Sequence, residues 1–200
     1  MAGIDDTEIE EAVTALEQGG TVIYPTETCY GLGSDALDEQ AVEQVYTLKE
    51  RPREKKLTTV VSDLDMAREY CHLGPLEERV CRAFMPGPLT LIAKKRDTVP
   101  DILNDRFAFR VSSRKVCQEL PRRLGSPVVA TSANISGNPS SYTVADIDRV
   151  IRDRADAVLD AGRLEERPSS TVIDLEGGEP TVYREGPITR AEILEVIQRG

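Results

Sequence analysis

The chain has little histidine, no tryptophan and few cysteines. Of its 200 residues one is histidine, His72, and four are cysteines. A metal site that needs two histidines is therefore excluded within one chain, and a Ser-His-Asp triad would have to use His72. His72 follows a predicted helix end, and we assign it no catalytic role. The cysteines form no CxxC pair, which is typical of reduced core thiols.

Long apolar runs and nucleotide-loop motifs are also missing. No stretch approaches the roughly 18 consecutive apolar residues that a membrane-spanning helix needs. Residues 1–11 are acidic and have no apolar core, so we expect neither a secretory signal nor a transit peptide. No GxxxxGK[ST] motif occurs, which excludes a Walker-type nucleotide site. We therefore expect a cytoplasmic protein that does not bind membranes.

Positive charge is scarce. The chain has 25 basic and 35 acidic residues, and its formal net charge is −10. This charge disfavours the binding of nucleic acid by the whole surface, because phosphate is repelled at long range. Only six of the 25 basic residues are lysines. An acidic surface poor in lysine suits a high-salt cytoplasm, and a melting temperature that is unchanged into molar KCl would count against that expectation.

Helix and strand signals alternate along the chain, with no repeat and no long linker. The capping-box pattern Thr7-Glu8-Ile9-Glu10 predicts a helix that is stopped by Gly19-Gly20. Further helices are predicted at residues 38–49, 63–70, 76–84 and 113–124 (with Pro121 ending or bending it), from Thr143, and from Thr189. Strands are predicted at residues 21–24, 57–61, 89–93, 107–111, 127–130, 157–159, 171–175 and 181–183. The alternation predicts an α/β fold: a single domain, residues 1–200, with an open, twisted mixed sheet flanked by helices.

Three loops rich in glycine, proline and hydroxyl side chains adjoin predicted strands, at residues 25–33, 131–141 and 168–171. In open α/β sheets ligands bind beyond the strand ends, and such loops suit anions because many donors converge there. An ordinary Ser/Gly turn is the alternative for each loop taken alone. Residues 31–36 also fit GxGxxA, but residues 25–30 intervene after the strand and the next helix begins only near residue 38, which argues against a dinucleotide site.

A basic segment, residues 49–56, places five cations among eight residues of an acidic chain. It is either a solvated helix end favoured by the helix dipole or a clamp on a polyphosphate. Arg106, Arg110 and Arg184 lie within or beside predicted strands. Each is either paired with an acid or held for an anionic ligand, and the sequence leaves both open. These features together indicate a cleft for a phosphorylated or carboxylated ligand, without a conventional general base.

The motifs occur in one order along the chain: Pro25-Thr26-Glu27-Thr28 with Tyr30-Gly31-Leu32, Lys49-x-Arg51-Pro52, Pro86-Gly87-Pro88-Leu89-Thr90, Arg110, Ser132-Ala133-Asn134-Ile135-Ser136-Gly137, Ser170-Thr171-Val172-Ile173-Asp174 and Arg184-Glu185-Gly186. In this order they resemble the YrdC-like family of threonylcarbamoyl-AMP synthases. The resemblance runs from Gly20 to Gly186. It implies the YrdC-like fold in its short, single-domain form, without an extra C-terminal domain.

The resemblance also implies an enzyme, a nucleotidyltransferase. Its substrates would be L-threonine, bicarbonate and ATP, and its products threonylcarbamoyl-AMP, diphosphate and water. The product would supply the threonylcarbamoyl group of adenosine 37 in tRNA, through a separate threonylcarbamoyl transferase complex. Mg²⁺ would arrive with ATP, bound mostly through phosphate and water, and we expect no metal site of the protein's own.

By the same resemblance, three groups of residues form the site. A quartet linked to catalysis consists of Lys49, Arg51, Ser132 and Asn134. The threonine pocket consists of Thr28, Val60, Arg110, Ala130 and Ser170, with Arg110 opposite the carboxylate. The nucleotide is held by Arg51, Lys55, Arg106, Ser132, Ser140 and Arg184.

The chain departs from the family pattern at three positions. Val60 stands where many relatives have histidine, Lys55 where a neutral amide is common, and Ser112 where proline is usual after the Arg110 strand. Val60 removes a side-chain hydrogen bond to threonine, so substrate selectivity stays open. Two alternatives also remain: a non-catalytic module that binds tRNA or a nucleotide, and a carbamoyl-transfer domain of a maturation enzyme, for which no companion domains are present. In the first alternative, the basic segment contacts the tRNA backbone.

Overall fold

The computed structural model describes residues 3–103 and 105–199. The helices within these ranges are α1 (Asp6–Glu17), α2 (Glu39–Leu48), α3 (Leu64–Tyr70), α4 (Pro75–Phe84), α5 (Lys115–Leu124), α6 (Arg149–Arg152) and α7 (Arg190–Gln198). The strands are β1 (Val22–Pro25), β2 (Tyr30–Gly33), β3 (Thr59–Val60), β4 (Cys71–His72), β5 (Leu89–Lys95), β6 (Phe107–Arg110), β7 (Val128–Val129), β8 (Thr131–Ser132), β9 (Ala157–Val158), β10 (Thr171–Asp174) and β11 (Thr181–Arg184).

The strands form two open, mixed sheets. The smaller has the order β8-β2-β1-β9, and the larger has the order β11-β10-β5-β6-β3-β7, with β4 added beside β5. β5 is parallel to β10 and antiparallel to β6, while β3 is parallel to β6. The predicted α/β class with an open mixed sheet is confirmed, but the strands are divided between two sheets. Short strands carry no pattern that assigns their partners, so the division was not predictable.

The first helix begins earlier than predicted. Its N-cap is Asp5 rather than Thr7: the Asp5 carboxylate accepts from the Glu8 amide at 2.9 Å, and the Glu8 carboxylate accepts from the Asp5 amide at 2.8 Å. A carboxylate at the N-cap also complements the helix dipole, which a threonine hydroxyl does not. The helices predicted at residues 38–49 and from Thr189 are confirmed as α2 and α7, and Asp38 and Thr189 are their N-caps.

Two predicted helices differ from the structure. α5 continues through Pro121 and ends at Gly125, whose φ of 78° is left-handed, so proline does not end this helix. Leu120 and Pro121 are both buried, and this burial offsets the missing backbone hydrogen bond. The helix predicted from Thr143 is split into a 3-10 turn (Val144–Asp146) and α6, because Ile147 between them is extended.

The strand β2 was predicted to be part of a loop. Gly31 and Gly33 weaken its strand propensity, yet it pairs with β1 along its whole length. A Cβ at Gly33 would lie 2.5 Å from the Val129 carbonyl oxygen, so close packing of the chain requires this glycine. The GxGxxA pattern therefore has a packing explanation. Residues 71–72 and 131–132 are also short strands that were not predicted. They are recognised only by their pairing with β5 and β2, respectively.

The core consists of two apolar clusters. One lies where α1 and α5 pack on β1, with Val13, Leu16 and Leu120 at its centre. The larger covers the seven-stranded sheet with side chains of α2, α4 and α7. In the part of the chain that the structure describes, no helix has both the length and the apolarity to span a bilayer. The hydroxyl-bearing residues of the loops at the strand ends lie outside both clusters, where they line the site.

Candidate functional site

A cavity of about 290 Å³ opens where the β1–β2 loop, the end of β6, β8 and the facing ends of β10 and β11 meet. Four cations line it: Arg51, Lys56, Arg110 and Arg184. The other lining residues are Thr26, Thr28, Cys29, Gly31, Thr58, Ala130, Thr131, Ser132, Ser140, Ser169, Ser170 and Val172. Within residues 3–103 and 105–199, no carboxylate lines this cavity. The cavity is therefore built for an anion.

Arg184, at the end of β11, is held against Ser170. Its Nε donates to the Ser170 carbonyl oxygen at 2.9 Å, and its Nη2 donates to the Ser170 hydroxyl at 3.1 Å. That hydroxyl lies 2.9 Å from the hydroxyl of Thr90 on β5. Burial, together with the nearby charge of Arg110, lowers the pKa of Arg184. The cation is positioned by neutral partners, so its charge remains available to a ligand.

Arg110 ends β6 and is buried. Its Nη1 lies 3.3 Å from Oε1 of Glu27, and its Nε has no hydrogen-bond partner among the described residues. A buried N–H without a partner is costly, and a bound carboxylate or phosphate would provide one. Arg110 is therefore the cation of the cavity with the clearest unfilled donor.

Lys49 lies behind the cavity, at the C-cap of α2. Its ammonium group donates to the carbonyl oxygens of Ser132 and Asn134, the latter at 2.7 Å, and lies 3.4 Å from Oδ1 of Asn134. Burial, with a smaller effect of Arg51, lowers the pKa of Lys49 to about 8. The Lys49 charge is therefore in contact with the main chain of Ser132, a residue that lines the cavity.

The turn after α2 brings Arg51 to the cavity. Glu50 has a left-handed φ of 48°, which is uncommon for a side chain larger than asparagine and turns the chain sharply between Lys49 and Arg51. Arg51 Nε donates to the Lys55 carbonyl oxygen at 2.7 Å, and Nη2 donates to that of Lys56 at 2.8 Å. Burial lowers the pKa of Arg51. The Arg51 guanidinium thus fixes the conformation of the basic segment and also lines the cavity.

Ser132 and Asn134 are directly linked. The Ser132 hydroxyl donates to Oδ1 of Asn134, whose Nδ2 donates to the carbonyl oxygen of Asn138. The Ser136 amide donates to the Lys49 carbonyl oxygen at 2.8 Å, which joins this loop to α2. Lys49, Ser132 and Asn134 therefore form one hydrogen-bonded unit, although Lys49 is 83 residues from Ser132 and 85 residues from Asn134 in sequence.

The β1–β2 loop contributes hydroxyl groups. The Thr26 side chain accepts from the amides of Thr28 and Cys29, each at 3.2 Å, and its hydroxyl lies 3.0 Å from that of Thr28. Cys29 lines the cavity, so one of the four cysteines predicted as core thiols lies at the site instead. Burial raises the pKa of Cys29, which keeps the thiol protonated and unreactive near neutral pH.

Most of the predicted site residues come together. Eight line the cavity: Thr28, Arg51, Arg110, Ala130, Ser132, Ser140, Ser170 and Arg184. Lys49 and Asn134 lie directly behind Ser132. The ligand contacts assigned to all of them remain predictions.

Besides Lys49 and Asn134, three predicted residues lie outside the lining. Val60 is fully buried in β3, in register with Arg110, and Thr58 lines the cavity instead. Lys55 contributes its carbonyl oxygen to Arg51, while the neighbouring Lys56 faces the cavity. Arg106 is in ion pairs with Asp174, at 2.8 Å, and with Glu176.

Sequence reasoning missed Thr26, Lys56, Thr58 and Ser169, which also line the cavity. Lys56 belongs to the basic segment, residues 49–56. Thr26 and Ser169 belong to the hydroxyl-rich loops at residues 25–33 and 168–171. Nothing in the sequence marked Thr58 as a site residue, because it lies in the strand predicted at residues 57–61.

Known proteins resemble this chain throughout. A family model for Sua5, YciO and YrdC, described as "Telomere recombination", matches residues 14–186. A relative in Methanocaldococcus jannaschii is 37% identical over 171 residues, which cover 85% of this chain and 81% of the relative. A threonylcarbamoyl-AMP synthase of Pyrococcus abyssi is 33% identical over 198 residues, 97% of this chain and 58% of that protein. The chain thus spans less than two thirds of the Pyrococcus relative.

Solved structures agree with these matches. The crystal structure of Pyrococcus abyssi Sua5 complexed with L-threonine has a TM-score of 0.91 and 32% sequence identity, covering 98% of this chain and 59% of that one. Escherichia coli YciO has a TM-score of 0.84 and 27% identity, covering 94% of both chains. The cavity therefore lies in a fold for which a threonine complex is known.

Proposed function

The chain belongs to the Sua5/YciO/YrdC family, and on that premise we propose that it is an L-threonylcarbamoyladenylate synthase. It joins L-threonine, bicarbonate and ATP into threonylcarbamoyl-AMP, with release of diphosphate and water. In class it is a nucleotidyltransferase, because the AMP group is transferred to a carbamate. The product serves tRNA threonylcarbamoyladenosine modification through a separate transferase complex.

One observation carries the proposal: the cavity joins four cations to a ring of hydroxyl groups, with no carboxylate among its described lining residues. Threonine has a carboxylate and ATP has a triphosphate, so the negative charges of both substrates complement the cations of the cavity. The relative that was solved with L-threonine shares the fold closely. The unfilled Nε of Arg110 suits the threonine carboxylate, with the hydroxyls of Thr28 and Ser170 beside it.

The chemistry needs alignment more than acid or base catalysis. The threonine amine adds to bicarbonate, water leaves, and a carbamate forms. A carbamate oxygen then attacks the α-phosphorus of ATP, and diphosphate departs with the electrons of the broken P–O bond. Arg51, Arg184, Ser132 and Ser140 neutralise and orient the phosphates. A carbamate is unstable in water, so the reaction requires that the bound substrates shield it from solvent within the cavity.

Mg²⁺ is proposed to enter with ATP, where it neutralises part of the phosphate charge. The donor set fits this role, because the lining offers hydroxyls and cations rather than carboxylates. In the described parts of the chain, no group of three or more histidine, cysteine or acidic residues could hold a metal ion. The protein residues named above would hold the triphosphate, and Mg²⁺ would be bound through phosphate oxygens and water rather than by protein side chains.

The test is diphosphate release by the purified protein, with mass spectrometry of the product. We expect release only when L-threonine, bicarbonate and ATP are all present, and a product with the mass of threonylcarbamoyl-AMP. Threonine-independent turnover would reject the assignment. Tight, salt-sensitive tRNA binding without diphosphate release would instead favour the non-catalytic binding module.

A further inference from the structure

Glu27 is a buried acid that the proposed chemistry does not use. It lies between Thr26 and Thr28, which line the cavity, but it is not itself among the lining residues. Its side chain is only 7% exposed. A buried carboxylate requires partners that offset the loss of water, so its contacts indicate what it does.

The two carboxylate oxygens of Glu27 have different neighbours. Oε1 lies 3.3 Å from Nη1 of Arg110, without a hydrogen bond. Oε2 accepts a hydrogen bond from the hydroxyl of Ser112. An ion contact of this length orients the guanidinium, yet it does not use the paired N–H groups that a bidentate salt bridge would consume. The Nε–H of Arg110 stays unfilled.

Glu27 is itself firmly anchored through Ser112. The Ser112 hydroxyl also accepts from the Arg114 amide at 3.2 Å, and the Ser112 carbonyl oxygen accepts from the side chain of Gln118 on α5 at 2.7 Å. Ser112 is the position at which the resemblance expects proline, which could not make the contact with Glu27. The chain's departure from the family pattern therefore creates a fixed support for this carboxylate.

The charges of the cavity explain why such a support is needed. Arg110 and Arg184 are close enough that the charge of Arg110 lowers the pKa of Arg184, so the two guanidinium groups repel each other. No lining carboxylate offsets that repulsion in the described residues. Glu27, lying outside the lining, supplies a negative charge beside Arg110.

We infer that Glu27 is a positioning residue: its carboxylate, held by Ser112, keeps the Arg110 guanidinium in place so that the free edge of Arg110 receives the carboxylate of L-threonine. The inference rests on the proposed function and deepens it at the threonine subsite. Glu27 acts through Arg110 and does not touch the substrate.

The experiment is calorimetric titration of L-threonine into the wild type, Glu27→Gln and Glu165→Gln. Glutamine keeps the size of the side chain and an acceptor oxygen but removes the charge. Glu27 and Glu165 both line a second cavity next to the candidate site. Glu165 is the control because its side chain is exposed and paired with Arg167. We expect Glu27→Gln to weaken threonine binding about tenfold or more, the size of effect of a lost charged contact in a buried site. Glu165→Gln should bind as the wild type does.

Three further measurements separate positioning from general support of the fold. In steady-state kinetics, Glu27→Gln should raise KM for threonine and leave KM for ATP unchanged. Glu27→Asp, which keeps the charge, should raise KM for threonine less. Ser112→Ala should weaken threonine binding in the same direction, which tests the inference even if Glu27→Gln does not fold. The loss caused by Glu27→Gln should disappear in an Arg110→Gln background, because the two residues act as one unit.

The inference would be overturned if Glu27→Gln bound threonine as tightly as the wild type. It would also be overturned if Glu27→Gln weakened threonine binding equally in the wild-type and Arg110→Gln backgrounds. A wild-type protein that binds L-threonine but forms no threonylcarbamoyl-AMP would refute the proposed function alone, since the titrations still test Glu27. A wild-type protein that binds no threonine would overturn both.

Discussion

The ammonium group of Lys49 lies 2.7 Å from the main-chain carbonyl oxygen of Asn134, with the lysine side chain almost wholly buried. In the described residues no carboxylate forms an ion pair with it. Its partners are carbonyl and amide oxygens of the segment that carries Ser132 and Asn134. A cation in this position supports the loop and adds positive potential behind Ser132, which lines the cavity.

This relationship predicts opposite pH effects on stability and activity. Burial lowers the pKa of Lys49 from 10.5 to about 8 in the folded protein. Between these values the unfolded chain holds a proton that the folded chain has released, so the free energy of unfolding rises with pH across this window. Activity should fall over the same range, because the ammonium loses its charge.

The measurement is denaturant unfolding of the wild type and of Lys49→Met from pH 7 to 10.5, together with kcat of the wild type. The difference in unfolding free energy between the two proteins should change by roughly 3 kcal/mol across the window. If both proteins showed the same pH dependence of stability, the lowered pKa would be wrong.

Replacing Arg51 should abolish most activity without unfolding the protein. The Arg51→Ala variant loses a guanidinium that lines the cavity and both hydrogen bonds to the carbonyl oxygens of Lys55 and Lys56. We expect a loss of about a hundredfold or more in kcat/KM, comparable to the loss of one charge-stabilising donor. Steady-state kinetics and circular dichroism measure the two effects.

Arg53 is the matched control for Arg51. It lies two residues away, packs over the Tyr46 ring at 4.4 Å and pairs with Glu43, with half its side chain exposed. The Arg53→Ala variant should therefore keep its activity within about twofold, as surface substitutions usually do. Equal losses in both variants would mean that the whole basic segment, rather than Arg51, contributes.

The Tyr30 hydroxyl should stabilise the segment that leads to Ser170. It accepts from the Ala161 amide at 2.9 Å and lies 2.8 Å from the Gly162 carbonyl oxygen. Tyr30→Phe leaves both groups without this partner, and we expect a loss of about 1–3 kcal/mol in the free energy of unfolding. The control is Tyr183→Phe, since Tyr183 is 64% exposed, and urea denaturation of both variants is the measurement. Equal stability of the two variants would contradict the prediction.

Gly186 should not tolerate a side chain. A Cβ there would lie 2.2 Å from the Ser169 carbonyl oxygen and 2.7 Å from the Thr171 amide nitrogen, both main-chain atoms beside the cavity. Gly186→Ala should lower the free energy of unfolding by about 1–3 kcal/mol and weaken threonine binding, because the strand end must shift. Gly3→Ala, where nothing lies within 4 Å of the added atom, should be neutral in thermal unfolding. A neutral Gly186→Ala would argue against this packing.

Local patterns predicted much of the secondary structure. The helices over residues 38–49 and from Thr189 were predicted correctly, because capping and apolar spacing act within one turn of chain. The strand β2 was missed because its glycines weaken the local signal, while its pairing with β1 is a tertiary property.

The sequence by itself determined which chemistry the protein holds: hydroxyl-rich loops, a basic segment and strand-end arginines, in an order shared with one family. Only the tertiary structure decided how each arginine is used. Arg106 and Arg110 belong to the same predicted strand region, yet Arg106 pairs with Asp174, 68 residues away, while Arg110 faces the cavity with its Nε unfilled. The environment of a buried charge depends on groups brought together from distant parts of the chain, and no local pattern encodes those distances.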